Sequence, residues 1–422
     1  MFLRSALLFA AFAICLTASL LGEEAAALRL FPSPASQDSK TENLWKTEEL
    51  FTAPRTYEIE PGGFLARDGI TPLLYEGAPF KGKPTRVFAW VGIPPGDGKV
   101  PGVVLVHGGG GTAYRDWVKI WMDRGYAAIA MDTNGAIPLT EDGMRVKSKP
   151  HEFAGPSPKG NGFETSDDPV SDQWMYHAVA AVIRAHSLLR SFPRVDPERT
   201  GITGISWGGV MTEIAASVDF RFKCAAPVYG CGFLGEDSFW LEKHFQDIAP
   251  AEVERWLRLW DPSQYVARIH MPVLFCNGTN DKFFRLDSWQ KTYRLVPGPV
   301  TLSLRVRMTH GNPPHGDPPE ITVFADSILK GGKPLPVMRD QGKEGNLAWT
   351  RYSSAEPIQS AQVIYTIDSG PWLTRNWQQA PARIEAGRVS APLPHGVTAY
   401  YFTLKDGRGA MTSSAHIVLQ PN

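Results

Sequence analysis

Ser206 stands in Gly204-Ile205-Ser206-Trp207-Gly208, a G-x-S-x-G pattern whose neighbours read as a strand before it (199–203) and a helix with an apolar face after it (210–216). That strand, one-residue turn and helix context turns a common pattern into the setting of a nucleophile. A serine on so sharp a turn carries a strained backbone, and the chain on both sides passes close by, which Gly204 and Gly208 permit. The hydroxyl is lifted to the positive end of the following helix. The competing reading is a Gly-rich loop with an incidental serine, which the flanking elements disfavour.

A hydroxyl needs a base, and the base needs an acid to orient it. Residues 272–276 form a compact apolar run, the mark of a strand buried on both faces, and the turn Asn277-Gly278-Thr279-Asn280-Asp281 presents Asp281 at its end. Asp281 also fits an ordinary turn-capping aspartate. An alternating β-rich run over 300–306 then leads into a loop holding both His310 and His315. His310, nearer the strand, is the expected base, and His315 remains the alternative. The other histidines after Ser206 (His244, His270, His395 and His416) fit less well, lying in an insertion, ahead of a strand or in a later segment.

The charge that develops on a carbonyl oxygen also needs donors. A strand-like run over 101–106 ends in His107-Gly108-Gly109-Gly110-Gly111, and its backbone can approach a substrate closely. One oxyanion donor is expected from Gly109 or Gly110, the second from the Trp207 amide directly after the nucleophile. The loop lacks the Lys-Ser/Thr ending of a phosphate-binding P-loop.

With these residues in hand, the chain resembles the α/β-hydrolase superfamily, and within it the branch of acetyl xylan esterases, dienelactone hydrolases and prolyl-oligopeptidase-like catalytic domains. Val195-Asp196-Pro197-Glu198-Arg199, and Trp260-Asp261-Pro262-Ser263 ahead of Pro272-Val273-Leu274, are similar to the same branch. The resemblance covers roughly residues 60–330. It implies a mostly parallel sheet flanked by helices and a Ser206-His310-Asp281 triad. Asn280 before the acid and the paired-histidine loop depart from the pattern.

The N-terminus gives the compartment. Arg4 precedes an uncharged apolar run over 5–21, and small residues follow at 25–27. This reads as a secretory signal peptide over 1–27, with an uncleaved anchor as the alternative, and places the protein in a periplasm or outside the cell. No later segment is long and apolar enough for a membrane span. Lys plus Arg equals Asp plus Glu at 43 each, so no global field draws nucleic acid or an anionic surface. Cys224, Cys231 and Cys276 survive signal removal. An odd number in predicted core strands reads as buried thiols rather than a disulfide framework, although Cys231 and Cys276 lie near the ends of successive strands. No metal-ligand spacing occurs, the nearest approach being His310, His315 and Asp317.

The elements that must position these groups follow along the chain. Residues 28–56 are polar and Pro/Ser-rich, a loosely held lead-in to a catalytic domain over 57–330. The stretch 132–169, rich in Gly and Pro and holding Arg145, His151 and Phe163, reads as a wall of the substrate pocket. Trp174, Ala178, Ala181, Val182, Ala185 and Leu189 share one helix face, with His177 and His186 as surface or packing residues. An insertion between Cys231 and Ile269 carries Trp240, Trp256 and Trp260, either packing or a small lid suited to sugar faces. A linker over 331–338 separates a small β-sandwich over 339–422, with strands at 361–366, 399–404 and 415–419 and an Asp406-Gly407 turn. Packing against the catalytic domain is its expected role, carbohydrate binding the alternative.

The expected activity is that of a secreted serine esterase, with no metal or organic cofactor. Its substrate, inferred from the resemblance, is an acylated carbohydrate or another small ester. A peptidase of the prolyl-oligopeptidase type would need a large upstream propeller, and fewer than about 80 mature residues precede His107. A non-catalytic binding protein on a hydrolase scaffold is the remaining alternative.

Overall fold

The computed structural model describes residues 29–31, 44–59, 64–140, 147–158, 162–311 and 318–419. The expected signal peptide, Arg145 and His315 lie outside them. Residues 31–422 group as one unit by their contacts.

Its first half is β1 (Thr56–Tyr57), β2 (Ile70–Glu76), β3 (Arg86–Gly92), β4 (Val100–Val106), β5 (Ala127–Met131), the hairpin β6 (Ala136–Pro138) and β7 (Ser148–Pro150), then β8 (Val195–Ile205), β9 (Cys224–Val228), β10 (Val273–Gly278) and β11 (Val300–Arg305). Six of these, in the order β5-β4-β8-β9-β10-β11, pair in parallel, and β3 closes on β5 antiparallel. Parallel pairing needs crossovers, and helices lie on them: after α1 (Thr47–Leu50) in the lead-in come α2 (Arg115–Asp123), α3 (Trp174–Ser191), α4 (Trp207–Val218), α5 (Phe239–Lys243) and α6 (Pro250–Trp260) in the insertion, and α7 (Leu286–Arg294), while α8 (Pro319–Leu329) follows β11. Helix cover on the sheet explains why β5 and β9 are apolar without alternation and buried along their whole length.

The C-terminal region adds β12 (Val337–Glu344), β13 (Leu347–Ser353), β14 (Ile358–Thr366), β15 (Gln378–Pro381), β16 (Arg383–Glu385), β17 (Arg388–Pro392), β18 (Ala399–Asp406), β19 (Met411–Ser413) and β20 (Ile417–Val418). β12-β13-β17-β16 make one antiparallel sheet, and a small core of Ala348, Val363, Val389, Tyr400, Phe402 and Leu404 lies between it and β14-β18. The second layer is continuous with the hydrolase sheet. β19 pairs β18 on one side and β11 on the other through Leu302 and Ser413, and the Leu304 N–H donates to Ser413 Oγ at 2.9 Å. Six of these nine strands carry no sequence signal, and β19, three residues long after a turn, is the one that makes the junction.

Two expectations change. The lead-in is not loose over 44–56: Trp45 is buried, stacks on Tyr176 at 5.7 Å and donates from Nε1 to its carbonyl at 3.0 Å, with Leu50 buried beside it. None of the described residues of the 132–169 stretch lines the cavity at Ser206. Phe163 is buried against Phe245 and Trp256, and His151 lines a separate cavity with Arg86 and Phe88. The packing alternative holds for His186, which is fully buried between Asp219 (2.7 Å) and Thr200 (2.8 Å).

Candidate active site

Ser206 is the single residue between β8 and α4, with φ +55° and ψ −121°. Its N–H donates to the Val228 carbonyl at 2.9 Å, tying the turn to β9. A Cβ at Gly208 would lie 2.1 Å from the Val106 carbonyl oxygen, and one at Gly204 2.3 Å from that of Gly208. Both positions therefore require glycine, and the serine takes the left-handed strain.

The turn after β10 places Asp281, and the loop after β11 places His310. Asp281 caps its turn and also bonds to the imidazole. Its Oδ1 accepts from the N–H groups of Phe283 and Phe284 at 2.8 Å each, capping the turn. Its Oδ2 accepts from His310 Nδ1 at 2.6 Å. That bond leaves Nε2 as the imidazole's acceptor, 3.0 Å from Ser206 Oγ. Asp281 is buried while His310 stays partly open, so the carboxylate is shielded and the imidazole reachable.

Two aromatic rings that sequence reading missed flank the imidazole. Tyr229, just past β9 with φ +64°, lies 4.4 Å from it and donates its hydroxyl to the Thr309 carbonyl at 3.1 Å. Phe283 lies 4.7 Å from it. A non-glycine residue forced to positive φ is invisible in sequence. Asp281, two residues before Phe283, was however a usable pointer to it.

The glycine loop passes over Ser206: a Cβ on Gly108 would sit 3.2 Å from Ser206 Cβ, and one on Gly109 2.5 Å from the Trp207 ring. Gly109, Gly110 and Trp207 line one cavity of about 290 Å³ together with Ser206, Phe239, Trp240, Phe283 and His310. Trp207 opens α4, so its N–H has no intrahelical acceptor. The loop is braced from below. The Asn134 amide donates to the carbonyls of Gly109 (2.9 Å) and Gly111 (3.1 Å). Asp132 Oδ1 accepts from the N–H groups of Asn134 and Ala136 at 2.8 Å each. His107 accepts the Thr133 N–H at Nε2 (2.9 Å) and donates from Nδ1 to the Gly108 carbonyl (2.7 Å), which needs a neutral ring. Burial, which lowers its pKa, keeps it so.

Of the insertion's tryptophans, Trp256 and Trp260 are core, while Trp240 packs on Trp207 at 4.9 Å and reaches the cavity. Cys224, Cys231 and Cys276 are buried and form no disulfide among the described residues. Among the described residues no group of three His, Cys, Asp or Glu side chains is placed to hold a metal ion, and no helix is long and apolar enough to cross a membrane.

A mostly parallel sheet with a serine on a strained strand-to-helix turn, an acid and a histidine after later strands, and flanking helices is the α/β-hydrolase fold, and this chain has that fold. Comparison with known proteins gives its nearer surroundings. The acetyl xylan esterase (AXE1) family model matches residues 72–275, and that of the PhoPQ-activated pathogenicity-related proteins matches 239–376. Two acetyl xylan esterase structures are similar in fold at TM-score 0.52. The one from Paenibacillus sp. R4 is 21% identical, with 69% of this chain and 95% of that chain covered. The one from a Thermoanaerobacterium species is 16% identical, with 72% and 95% covered. An uncharacterized peptidase of Bacillus subtilis, YuxL, is 25% identical over 206 residues, and this chain spans only 26% of its length. The family match and the fold together support a hydrolase of the esterase type.

Proposed function

We propose that the protein is a secreted serine carboxylic ester hydrolase acting on acetyl or other short acyl esters of carbohydrates. The observation that carries this reading is the unbroken hydrogen-bonded path from Asp281 through His310 to Ser206.

Ser206 Oγ attacks the ester carbonyl as His310 Nε2 takes its proton, and the Asp281 carboxylate holds the Nδ1–H and stabilises the imidazolium that forms. The tetrahedral oxyanion is met by the N–H groups of Trp207 and of Gly109 or Gly110, at the positive end of α4. The imidazolium then returns the proton to the departing alkoxide, and water, activated by the same nitrogen, hydrolyses the acyl-enzyme. The cavity of about 290 Å³ at Ser206, walled by aromatic side chains, suits a small acyl group. Export rests on the pattern of residues 1–27.

A fluorophosphonate label should be found on Ser206 by mass spectrometry and be absent from Ser206→Ala, which should also lose 4-nitrophenyl acetate turnover. Label on another residue sinks the assignment. A panel of acetylated xylan, acetylated monosaccharides and peptide amides then separates an esterase from a peptidase.

A further inference from the structure

His310 borders a second cavity besides the one holding Ser206. It measures about 520 Å³ and lies between the acid turn, the histidine loop and the C-terminal region, with Asn280, Lys282, Arg307 and Leu373 in its wall. Asn280, one of the departures from the family pattern, builds that wall. Its side-chain amide donates to the carbonyls of Trp372 (3.0 Å), Leu373 (3.1 Å) and Arg375 (2.9 Å). Trp372 Nε1 in turn donates to Asp287 at 2.9 Å. The 372–375 turn is thus fixed beside the residue that orients the histidine.

Two cations face the space between. Lys282 directly follows Asp281, and its Nζ lies 4.5 Å from the Phe283 ring centroid. Arg307 holds a left-handed φ of +50°, a conformation that glycine would take at lower cost. Its N–H is tied to Thr279 Oγ1 at 2.9 Å, and its Nη2 to Asn376 Oδ1 at 2.8 Å. A neutral amide positions the guanidinium without compensating its charge. Among the described residues neither cation is paired with a carboxylate. A strained arginine, oriented and left with donors to spare, is arranged for an external anion.

His310 returns the proton to the leaving alkoxide, so the alcohol part of an ester must lie next to the imidazole. The aromatic cavity at Ser206 takes the acyl side, and the cation-lined cavity beyond His310 lies next to the departing alcohol. Resting on the esterase reading above, we infer that this second cavity is an alcohol-side subsite for a carboxylate, so that the substrate is an ester of an acidic alcohol, an acylated uronic acid. Lys282 and Arg307 bind the carboxylate, and Leu373 and the 372–375 turn close the outer side.

The test compares 2-O-acetyl methyl glucuronoside with 2-O-acetyl methyl glucoside on the full-length protein. Two solvent-facing charge contacts should favour the uronate roughly tenfold in kcat/KM at low salt, and screening should shrink that ratio in 0.5 M NaCl. Lys282→Gln/Arg307→Gln should bring the ratio to about one, with Lys282→Gln alone in between. Equal kcat/KM in the wild type, or an unchanged ratio in the double variant, overturns the inference. A second arm needs no turnover: calorimetry on Ser206→Ala should detect methyl glucuronoside and not methyl glucoside, and equal binding overturns the subsite. Failure of the wild type to hydrolyse either acetate or 4-nitrophenyl acetate counts against the esterase reading instead, and calorimetry then decides the subsite alone.

Discussion

The side-chain amide of Asn134 donates to the carbonyl of Gly109 at 2.9 Å, from the bend between β5 and β6, and Asn134 itself does not line the Ser206 cavity. Asn134 therefore acts through the loop. Asn134→Leu should lower kcat about 10- to 100-fold with little change in KM, because loosened donors fail the transition state more than the ground state. Steady-state kinetics on 4-nitrophenyl acetate reads this directly, and a rise in KM alone would reassign the residue to substrate binding.

Removing the base should cost far more than removing its neighbour in the chain. His310→Ala should lower kcat by about a thousandfold or more, and Asp281→Asn by a comparable factor through loss of the imidazole's orientation. His315→Ala should leave kcat within a few-fold of wild type. A larger loss at His315 than at His310 would falsify the assignment of the base.

Truncation after Pro336 should yield insoluble protein. The cut exposes the β11 edge that β19 covers, and strips Trp372, Ala399, Tyr401 and Ala410 from the main core. Expression of residues 1–336 with a solubility assay and a thermal melt checks this. A soluble product with a cooperative transition would show that the sandwich is dispensable for folding.

Glu213, on α4 behind the nucleophile, is buried with neither carboxyl oxygen hydrogen-bonded among the described residues. Burial first, and then the Asp261 charge, hold its pKa well above the usual carboxylate range. The unfolded chain ionises this group near pH 4.5 while the folded chain keeps it protonated. The folded state then binds more protons, so its contribution to stability falls as pH rises above 4.5. Glu213→Gln should remove that slope and raise stability at pH 8 by about 2 kcal/mol. Urea titrations of both proteins at pH 5 and pH 8 measure it, and parallel curves for the two would contradict it.

Much of the site was legible because it is built from local backbone demands. Gly204 and Gly208 flank Ser206 since any Cβ there would strike a carbonyl, and that collision leaves its mark as a sequence pattern. Asp281 and His310, which the structure brings beside Ser206, were picked out the same way, from apolar runs long enough to be buried strands and the polar turns that end them. The described part of the 132–169 stretch lies elsewhere than expected because length marks importance without saying which way a segment faces: Asn134 braces the glycine loop from behind, and His151 lines a different cavity.

The sequence alone determined the order of Ser206, Asp281 and His310 along the chain and the strands that carry them, because periodicity and glycine placement act over a few residues. Tertiary structure alone decided that β19 joins the two halves into one sheet, that Tyr229 and Phe283 hold the imidazole, and that Asn280 clamps the 372–375 turn. Each of these is a contact between residues remote in the chain, made by ordinary side chains whose partners exist only once the sheet has formed.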